Sequence, residues 1–204
     1  MEVLIVSKTH MGGAACVGGL LLHNLQPVRL LQPGGFWNQP ANTDYEIGQV
    51  WNLDIQGRRD VTPPHVEDVI VTNREYLRDE HDVGDILLSQ VGPWEGSPSI
   101  LFDSLLCPTS SGNGYASRKT GIPSSSVGFW VADAALVKID EQRVRYRYTG
   151  RSGIYTLPYV GYQLPMEVIP AKTLLRVSLA RWWHPSDIPD MEDRCYLQLS
   201  GWYV

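Results

Sequence analysis

Cysteine and charged side chains are both scarce in this chain of 204 residues. The 3 cysteines, Cys16, Cys107 and Cys195, form no C-x-x-C pair, which argues against a disulfide framework and fits a reducing compartment. Charged residues amount to 19%, against about 25% in an average globular protein. No apolar run approaches the roughly 18 residues of a membrane-spanning helix, so we expect a chain that does not cross a membrane.

Motifs for metal binding, phosphate loops and secretion are also missing. The 5 histidines never fall at a spacing such as H-x-x-x-H, and neither G-x-x-x-x-G-K-[ST] nor G-x-G-x-x-G occurs. We therefore expect no metal and no cofactor. The first residues lack the basic region of a secretory signal, which favours a cytoplasmic location.

Two residues could support catalysis, but neither pattern is specific. Cys16 follows His10 by six residues and could become a thiolate nucleophile, although a small buried cysteine is the commoner outcome. Asp133 is the one acid in an apolar stretch, where a hydrogen-bonded structural role stands beside catalysis. We therefore expect a protein that is not an enzyme.

Glycine (19 residues) and proline (14 residues) are plentiful, and they separate short segments with strand patterns. Nine strands are predicted, over residues 2–7, 27–31, 48–56, 66–72, 85–91, 127–139, 143–148, 174–182 and 194–202. Short helices are predicted over residues 73–81 and 14–23, and residues 107–126 read as a long loop. The fold class is therefore all-β, with one or two short helices.

A weak internal echo suggests two similar domains. Residues 47–51 (IGQVW) and 83–87 (VGDIL) share an apolar-Gly-polar-apolar-apolar entry into a strand. We expect one domain over residues 1–80 and a second over residues 81–204. The boundary is soft, and because the echo spans only 36 residues, one domain could interrupt the other.

The net charge of −5 disfavours bulk binding of nucleic acid, but the charge is uneven. Residues 1–102 carry 6 basic and 13 acidic side chains, whereas residues 104–181 carry 10 basic and 4 acidic ones. Arginine outnumbers lysine 13 to 4, and a guanidinium group can both pair with phosphate and stack on a ring.

Two segments of the second half combine arginine with aromatic residues. Residues 143–148 (RVRYRY) alternate strictly, so a strand would place its three arginines on one face. Residues 174–182 (LLRVSLARW) alternate as well, which predicts that Arg176 and Trp182 point outward. A solvated edge strand and tryptophans that close a barrel are the structural alternatives to ligand binding.

The chain resembles a known family in several segments. They are residues 5–9 (IVSKT), 16–19 (CVGG), 28–31 (VRLL), 176–183 (RVSLARWW) and 194–203 (RCYLQLSGWY). These segments are similar to the bacterial dual OB-containing domain family, over nearly the whole chain. The resemblance implies two OB-like β-barrels and a prokaryotic cytoplasmic origin, but no established activity.

We therefore expect a non-catalytic accessory module that binds single-stranded DNA or RNA. OB-type barrels bind single strands through a basic groove and aromatic stacking platforms. The predicted binding residues are Arg118, Lys119, Arg143, Arg145, Arg147, Arg176, Arg181 and Trp182. The alternative is a protein-interaction module, in which the acidic first half and exposed tryptophans dock a partner effector subunit.

Overall fold

The computed structural model describes residues 1–34, 37–188 and 190–203, which form two compact units. Unit 1 comprises Met1–Thr62, Val66–Gly92 and Val160–Tyr162, and unit 2 comprises Pro63–His65, Pro93–Tyr159 and Gln163–Val204. Each unit thus includes a three-residue segment supplied from within the sequence of the other. The division into separate domains over residues 1–80 and 81–204 stays a prediction.

Unit 1 is a closed barrel of five strands with one short strand and one helix added. Its elements are β1 (Glu2–Met11), β2 (Ala14–Leu21), β3 (Pro27–Leu31), β4 (Gln39–Pro40), β5 (Gln49–Gly57), β6 (Asp68–Asp79) and α1 (Val83–Gln90). The barrel order is β1-β5-β6-β3-β2, and β2 pairs with β1 to close it. Its pairs are antiparallel except β3 with β6, which is parallel.

Close packing explains why the first predicted helix, residues 14–23, is wrong. The segment forms strand β2, and a Cβ built on Gly19 would lie 2.4 Å from Val3 Cγ1. The glycines that suggested a helix-opening loop instead allow β1 and β2 to approach each other. Val3, Val17 and Leu30 are fully buried within this barrel.

Two further predictions are wrong in opposite ways: a predicted helix is a strand, and a predicted strand is a helix. Residues 73–79 belong to β6, which ends at Asp79 and whose pairing with β5 is irregular at two points. Residues 85–91, predicted as a strand, belong to helix α1, which buries Val83 and Leu87. Those two residues are four apart, the spacing of one helix face, and the short segment concealed this period.

Unit 2 consists of two sheets with a short helix. Its elements are β7 (Trp94–Gly96), α2 (Leu101–Ser104), β8 (Cys107–Pro108), β9 (Gly114–Ser117), β10 (Val127–Ala132), β11 (Leu136–Asp140), β12 (Arg145–Gly150), β13 (Gly153–Pro158), β14 (Val168–Ile169), β15 (Leu174–Leu179) and β16 (Arg194–Tyr203). The sheet orders are β7-β10-β15-β16-β9-β8 and β13-β12-β11-β14. The predicted loop 107–126 thus contains two short strands, and the predicted strand 127–139 is two strands.

The same strand order underlies both units. In unit 2 the first barrel strand is split into β10 and β11, and β12, β13, β15 and β16 follow as strands two to five. Strand three meets strand five in parallel, as in unit 1, but here through the bridge of Tyr159 with Leu199. Unit 2 is therefore an open half-barrel, and the prediction of an all-β chain with two OB-like units and two short helices is confirmed.

Large aromatic side chains fill the core of unit 2. Tyr146 and Tyr148 of β12, Trp130 of β10 and Trp202 of β16 are all buried. The Tyr146 hydroxyl donates to the Met166 carbonyl (2.8 Å) and the Tyr148 hydroxyl donates to Asp133 (2.7 Å), so both phenol groups are satisfied. The inward half of the predicted alternation in β12 is confirmed.

Helix α2 contains three consecutive residues with left-handed backbone. The φ angles of Phe102, Asp103 and Ser104 are 51°, 60° and 60°. Phe102 is buried, and Asp103 accepts a hydrogen bond from the Ser124 amide (2.7 Å). These contacts stabilise the left-handed backbone conformation, which is unfavourable for residues other than glycine.

Candidate ligand-binding cleft

A cleft of about 440 Å³ opens on unit 2. One wall comes from Arg145 of β12 and Pro158 of β13, and another from the loop 180–193 between β15 and β16. These are the second and third barrel strands and the loop that joins the fourth to the fifth. OB-type barrels bind oligonucleotides and oligosaccharides at this same part of the fold.

Backbone hydrogen bonds anchor both ends of the loop 180–193. The Ala180 amide donates to the Tyr196 carbonyl (2.8 Å), and Trp183 exchanges two backbone hydrogen bonds with Arg194 (3.0 and 2.9 Å). Farther along, His184 Nδ1 lies 2.7 Å from Asp193 Oδ1. The loop therefore holds Trp183 at a defined place beside strand β16.

Three aromatic rings and the Arg194 guanidinium are in contact along one side of the cleft. The Arg194 guanidinium lies 4.0 Å from the centre of the Tyr115 ring, and Tyr196 contacts both Tyr115 and Trp183 with centroids 6.1 Å apart. Burial lowers the pKa of Arg194, but its hydrogen bond with Tyr196 and the nearby Glu192 outweigh this effect and raise it. Arg194 is therefore a permanent cation, and Trp183 remains 54% exposed beside it.

The predicted arginine ribbon is partly formed. Arg145 and Arg147 lie on β12 and point away from the buried tyrosines, and Arg147 is exposed. Arg143 precedes the strand, in the exposed turn, where its amide donates to Asp140 (3.0 Å). This hydrogen bond, a second one from the Gln142 amide and the charges of Arg145 and Arg143 together lower the pKa of Asp140.

The prediction that Arg176 points outward is wrong. Arg176 is 4% exposed, with its guanidinium 5.8 Å from the centre of the Phe129 ring. Strand β15 lies between β10 and β16 and is buried on both faces, so alternation does not create a solvent face there.

Trp182 is also less exposed than its alternation predicted. Strand β15 ends at Leu179, so the period of two does not extend to residue 182. Trp182 is half-buried against the core, its indole N–H donates to the Pro63 carbonyl (2.8 Å), and the Arg118 guanidinium lies 4.7 Å from its ring. Arg118 and Trp182, both predicted binding residues, are thus brought together.

The other two predicted binding residues, Lys119 and Arg181, take no part in the contact between Arg118 and Trp182. Lys119 is exposed, with its Nζ 3.7 Å from Glu192 Oε2. Arg181 is half-buried and has an interaction partner of its own. Neither belongs to the cleft lining.

No sequence pattern pointed to Trp183, Tyr196 and Arg194 as site residues. Trp183 was visible beside Trp182 in the RWW motif, but strand alternation favoured its neighbour. Arg194 and Tyr196 lie on β16, ten and more residues beyond that motif, and only the bridge between Trp183 and Arg194 brings them beside it.

Among the groups with catalytic potential, Asp133 has a structural contact, and burial makes the Cys195 thiol poorly reactive. All three cysteines are free thiols, and burial raises the pKa of Cys195 to about 12. Asp133 accepts the hydroxyl hydrogen bond of Tyr148, and burial together with this bond raises the pKa of Tyr148 to about 12. Within residues 1–34, 37–188 and 190–203, no group of three or more histidine, cysteine or acidic residues could hold a metal ion.

Unit 1 has a different electrostatic character. It carries 6 basic and 12 acidic side chains, a net charge of −6, whereas unit 2 carries 11 and 10, a net charge of +1. Three of its basic groups have ion-pair partners within the unit: Lys8 lies 2.6 Å from Glu46, Arg29 pairs with Asp68, and Arg74 pairs with Asp44. A small cavity of about 210 Å³ beside Arg74 is therefore lined by an arginine that is already paired.

Comparison with known proteins supports the topology. The sequence profile of the dual OB-containing domain family matches residues 1–202. No curated protein matches the chain. None of the helices that the structure describes is long and apolar enough to cross a membrane. Since the profile covers nearly every residue and both units have the OB strand order, the chain belongs to the dual OB-containing domain family.

Proposed function

We propose that the protein binds single-stranded nucleic acid through the cleft and the adjoining outer face of β12. The observation that supports this proposal best is the position of the cleft. It combines Arg145, Arg194 and the exposed ring of Trp183 at the strands and loop where OB barrels hold oligonucleotides. Arg147 and Arg143 extend the cationic surface along β12 and its preceding turn.

The binding surface within this proposal is narrower than the sequence predicted. Arg143, Arg145 and Arg147 are kept as phosphate contacts, and Trp183 replaces Trp182 as the stacking platform because Trp182 is half-buried and stacked on Arg118. Arg176 is left out because it is buried. Modest, salt-sensitive affinity follows, since only a few cations face the strand and the whole chain carries −5.

The proposal includes the absence of catalysis and a cytoplasmic, bacterial setting. The structural role of Asp133 and the raised pKa of Cys195 support the first part. The three free thiols support a reducing compartment. Cys16→Ala and Asp133→Asn should each keep wild-type ligand binding, and loss of binding in a folded Cys16→Ala variant would contradict this part.

Salt dependence of binding is the direct test. We expect a labelled single strand of about 12 nucleotides, DNA or RNA, to bind with an affinity that falls as salt rises, measured by fluorescence anisotropy. Replacing Arg145 and Arg147 by Gln should flatten the slope of log affinity against log salt by about 1.4, at roughly 0.7 per phosphate. Replacing Arg59 and Arg78 of unit 1 by Gln removes the same charge and should leave the slope unchanged.

A docking module for a protein partner is the second candidate, and the acidic surface of unit 1 favours it. Its net charge of −6 and its exposed Trp37 suit a basic protein surface. Absence of any binding to single-stranded DNA or RNA at low salt would remove the first proposal and leave this one.

A further inference from the structure

The cleft of unit 2 has three chemically different walls. Its apolar wall contains Trp183, Ile188 and Met191, of which Trp183 and Ile188 are 54% and 50% exposed. A cationic wall contains Arg145, and a third wall contains Ser111 and Asn113 with other short polar side chains. Its volume of about 440 Å³ falls in the range of small-molecule sites, roughly 300–1,000 Å³.

The polar wall is organised before any ligand arrives. The Asn113 side-chain amide donates to Ser111 Oγ (3.1 Å), and Ser111 Oγ lies 3.0 Å from Thr109 Oγ1. The Asn113 backbone amide donates to the same Thr109 hydroxyl (3.0 Å). An asparagine side-chain amide has two N–H donors and an acceptor oxygen. Since only one N–H is used by Ser111, the Asn113 side chain can still offer a donor and an acceptor to the edge of a base.

The cationic wall is available for an anion. Within the described part of the chain, no ion pair involves Arg145, whose charge acts on Asp140 only beyond ion-pair distance, whereas Arg194 lies 3.5 Å from Glu192 and is stacked on Tyr115. A guanidinium group without a carboxylate partner binds phosphate in bidentate fashion. The pairing of Arg194 leaves Arg145 as the phosphate partner within the cleft.

We propose that this cleft holds one nucleotide of the bound strand, with its base stacked on Trp183, its edge at Asn113 and its phosphate on Arg145. The inference rests on the proposed function and makes it more specific, because most contacts of a single strand are sequence-tolerant whereas an amide beside a stacked base can discriminate. The remaining arginines of β12 and its turn then supply affinity without base preference.

Titration calorimetry with the full chain tests this proposal. The probes are the four 5′-nucleoside monophosphates and inorganic phosphate, at low salt. We expect at least one nucleotide to bind with one site per chain and at least tenfold more tightly than phosphate. Trp183→Ala should weaken that binding about tenfold or more, while Trp183→Phe retains part of it because a ring remains.

Two further variants separate the walls of the cleft. Trp37→Ala removes the 72% exposed tryptophan of unit 1 and should leave nucleotide affinity unchanged. Asn113→Ala should reduce the differences among the four nucleotides, and Arg145→Gln should weaken all four to a similar degree. Nucleotides that bind no more tightly than phosphate, or a Trp183→Ala variant with wild-type affinity, would overturn the proposal.

Binding of the labelled 12-nucleotide strand, measured in the same buffer, separates a failure of the nucleotide site from a failure of the proposed function. Binding of the strand without binding of nucleotides would refute the nucleotide site and leave the proposed function standing. Binding of nucleotides without binding of the strand would support the cleft as a nucleotide site and refute the proposed function.

Discussion

Three consecutive residues of helix α2 have a strained backbone conformation. Phe102, Asp103 and Ser104 all have positive φ, a conformation that costs a residue with a Cβ about 1–2 kcal/mol. Ser104 is exposed at the end of α2, and no hydrogen bond of its side chain offsets this cost among the described contacts. The strain at Ser104 is therefore removable without loss of packing.

We expect Ser104→Gly to stabilise the protein by about 1 kcal/mol, because relief of strain exceeds the added chain entropy. For a chain of this size the melting temperature should rise by roughly 2–4 °C in a thermal denaturation experiment. The matched control is Ser89→Gly in the regular helix α1, where Ser89 is exposed. That variant should lose stability, and a loss in both variants would contradict the left-handed conformation of Ser104.

Cys195 makes stability depend on alkaline pH. Burial raises the pKa of its thiol from 9.0 to about 12, so above pH 9 the unfolded chain loses a proton that the folded chain keeps. The stabilisation is complete below pH 9 and declines as pH rises, by up to about 1.4 kcal/mol per pH unit.

Urea unfolding between pH 7 and pH 10 measures this effect, and because tyrosines of the unfolded chain also ionise near pH 10, comparison with a Cys195 variant isolates the thiol. Cys195→Ala should remove about 1 kcal/mol of the decline, even if the substitution lowers stability at pH 7. Cys16→Ala should show the wild-type decline, since it keeps Cys195. An equal decline in the wild type and Cys195→Ala would show that other groups cause it.

At the scale of elements, alternation was a reliable guide only where one face of a strand meets solvent. Strand β12 satisfies that condition, and its arginines and tyrosines separate as the sequence predicted. Strand β15 is covered on both sides, so the same reasoning placed Arg176 on the wrong side of the surface. Sequence periodicity does not reveal which strands are central, because neighbouring strands come from distant parts of the chain.

Short helices and glycine-containing strands were the other source of error. Helix α1 has two buried residues and α2 has a left-handed backbone, so neither presents a long 3.6-residue period. Strand β2 has a glycine pair where β1 approaches, and glycine in isolation favours a loop. Only part of the cleft was predictable. Strand alternation predicted the position of Arg145, whereas Trp183 and Arg194 come together only through tertiary pairing.

At the scale of the whole molecule, neither unit can be cut out with one break in the chain. Val160–Tyr162 belongs to unit 1, where His10 stacks on Tyr162 with ring centroids 3.8 Å apart. Pro63–His65 belongs to unit 2, where His65 Nε2 lies 3.2 Å from the Leu179 carbonyl. Each unit needs a segment that the chain delivers through the other.

We therefore expect the two units to unfold together. Urea titrations followed by far-UV circular dichroism and by tryptophan fluorescence should give one coincident transition. A fragment of residues 1–92 lacks Val160–Tyr162 and should show a lower unfolding midpoint than the full chain, and a fragment of residues 1–80 also lacks helix α1. Two separate transitions, or a 1–80 fragment as stable as the full chain, would instead support independent domains at the predicted boundary.

The cleft lies beside the open side of the half-barrel, where β13 and β16 meet. Tyr159 and Leu199 form the bridge where β13 meets β16, while Pro158 and Leu197, one and two residues away, line the cleft. The segment 112–117 joins these two edges, because the Thr156 amide of β13 donates to the Gly112 carbonyl (2.8 Å) and β9 pairs with β16. If a ligand binds in the cleft as proposed, it contacts this joining segment through Asn113, so ligand binding and closure of the half-barrel are coupled.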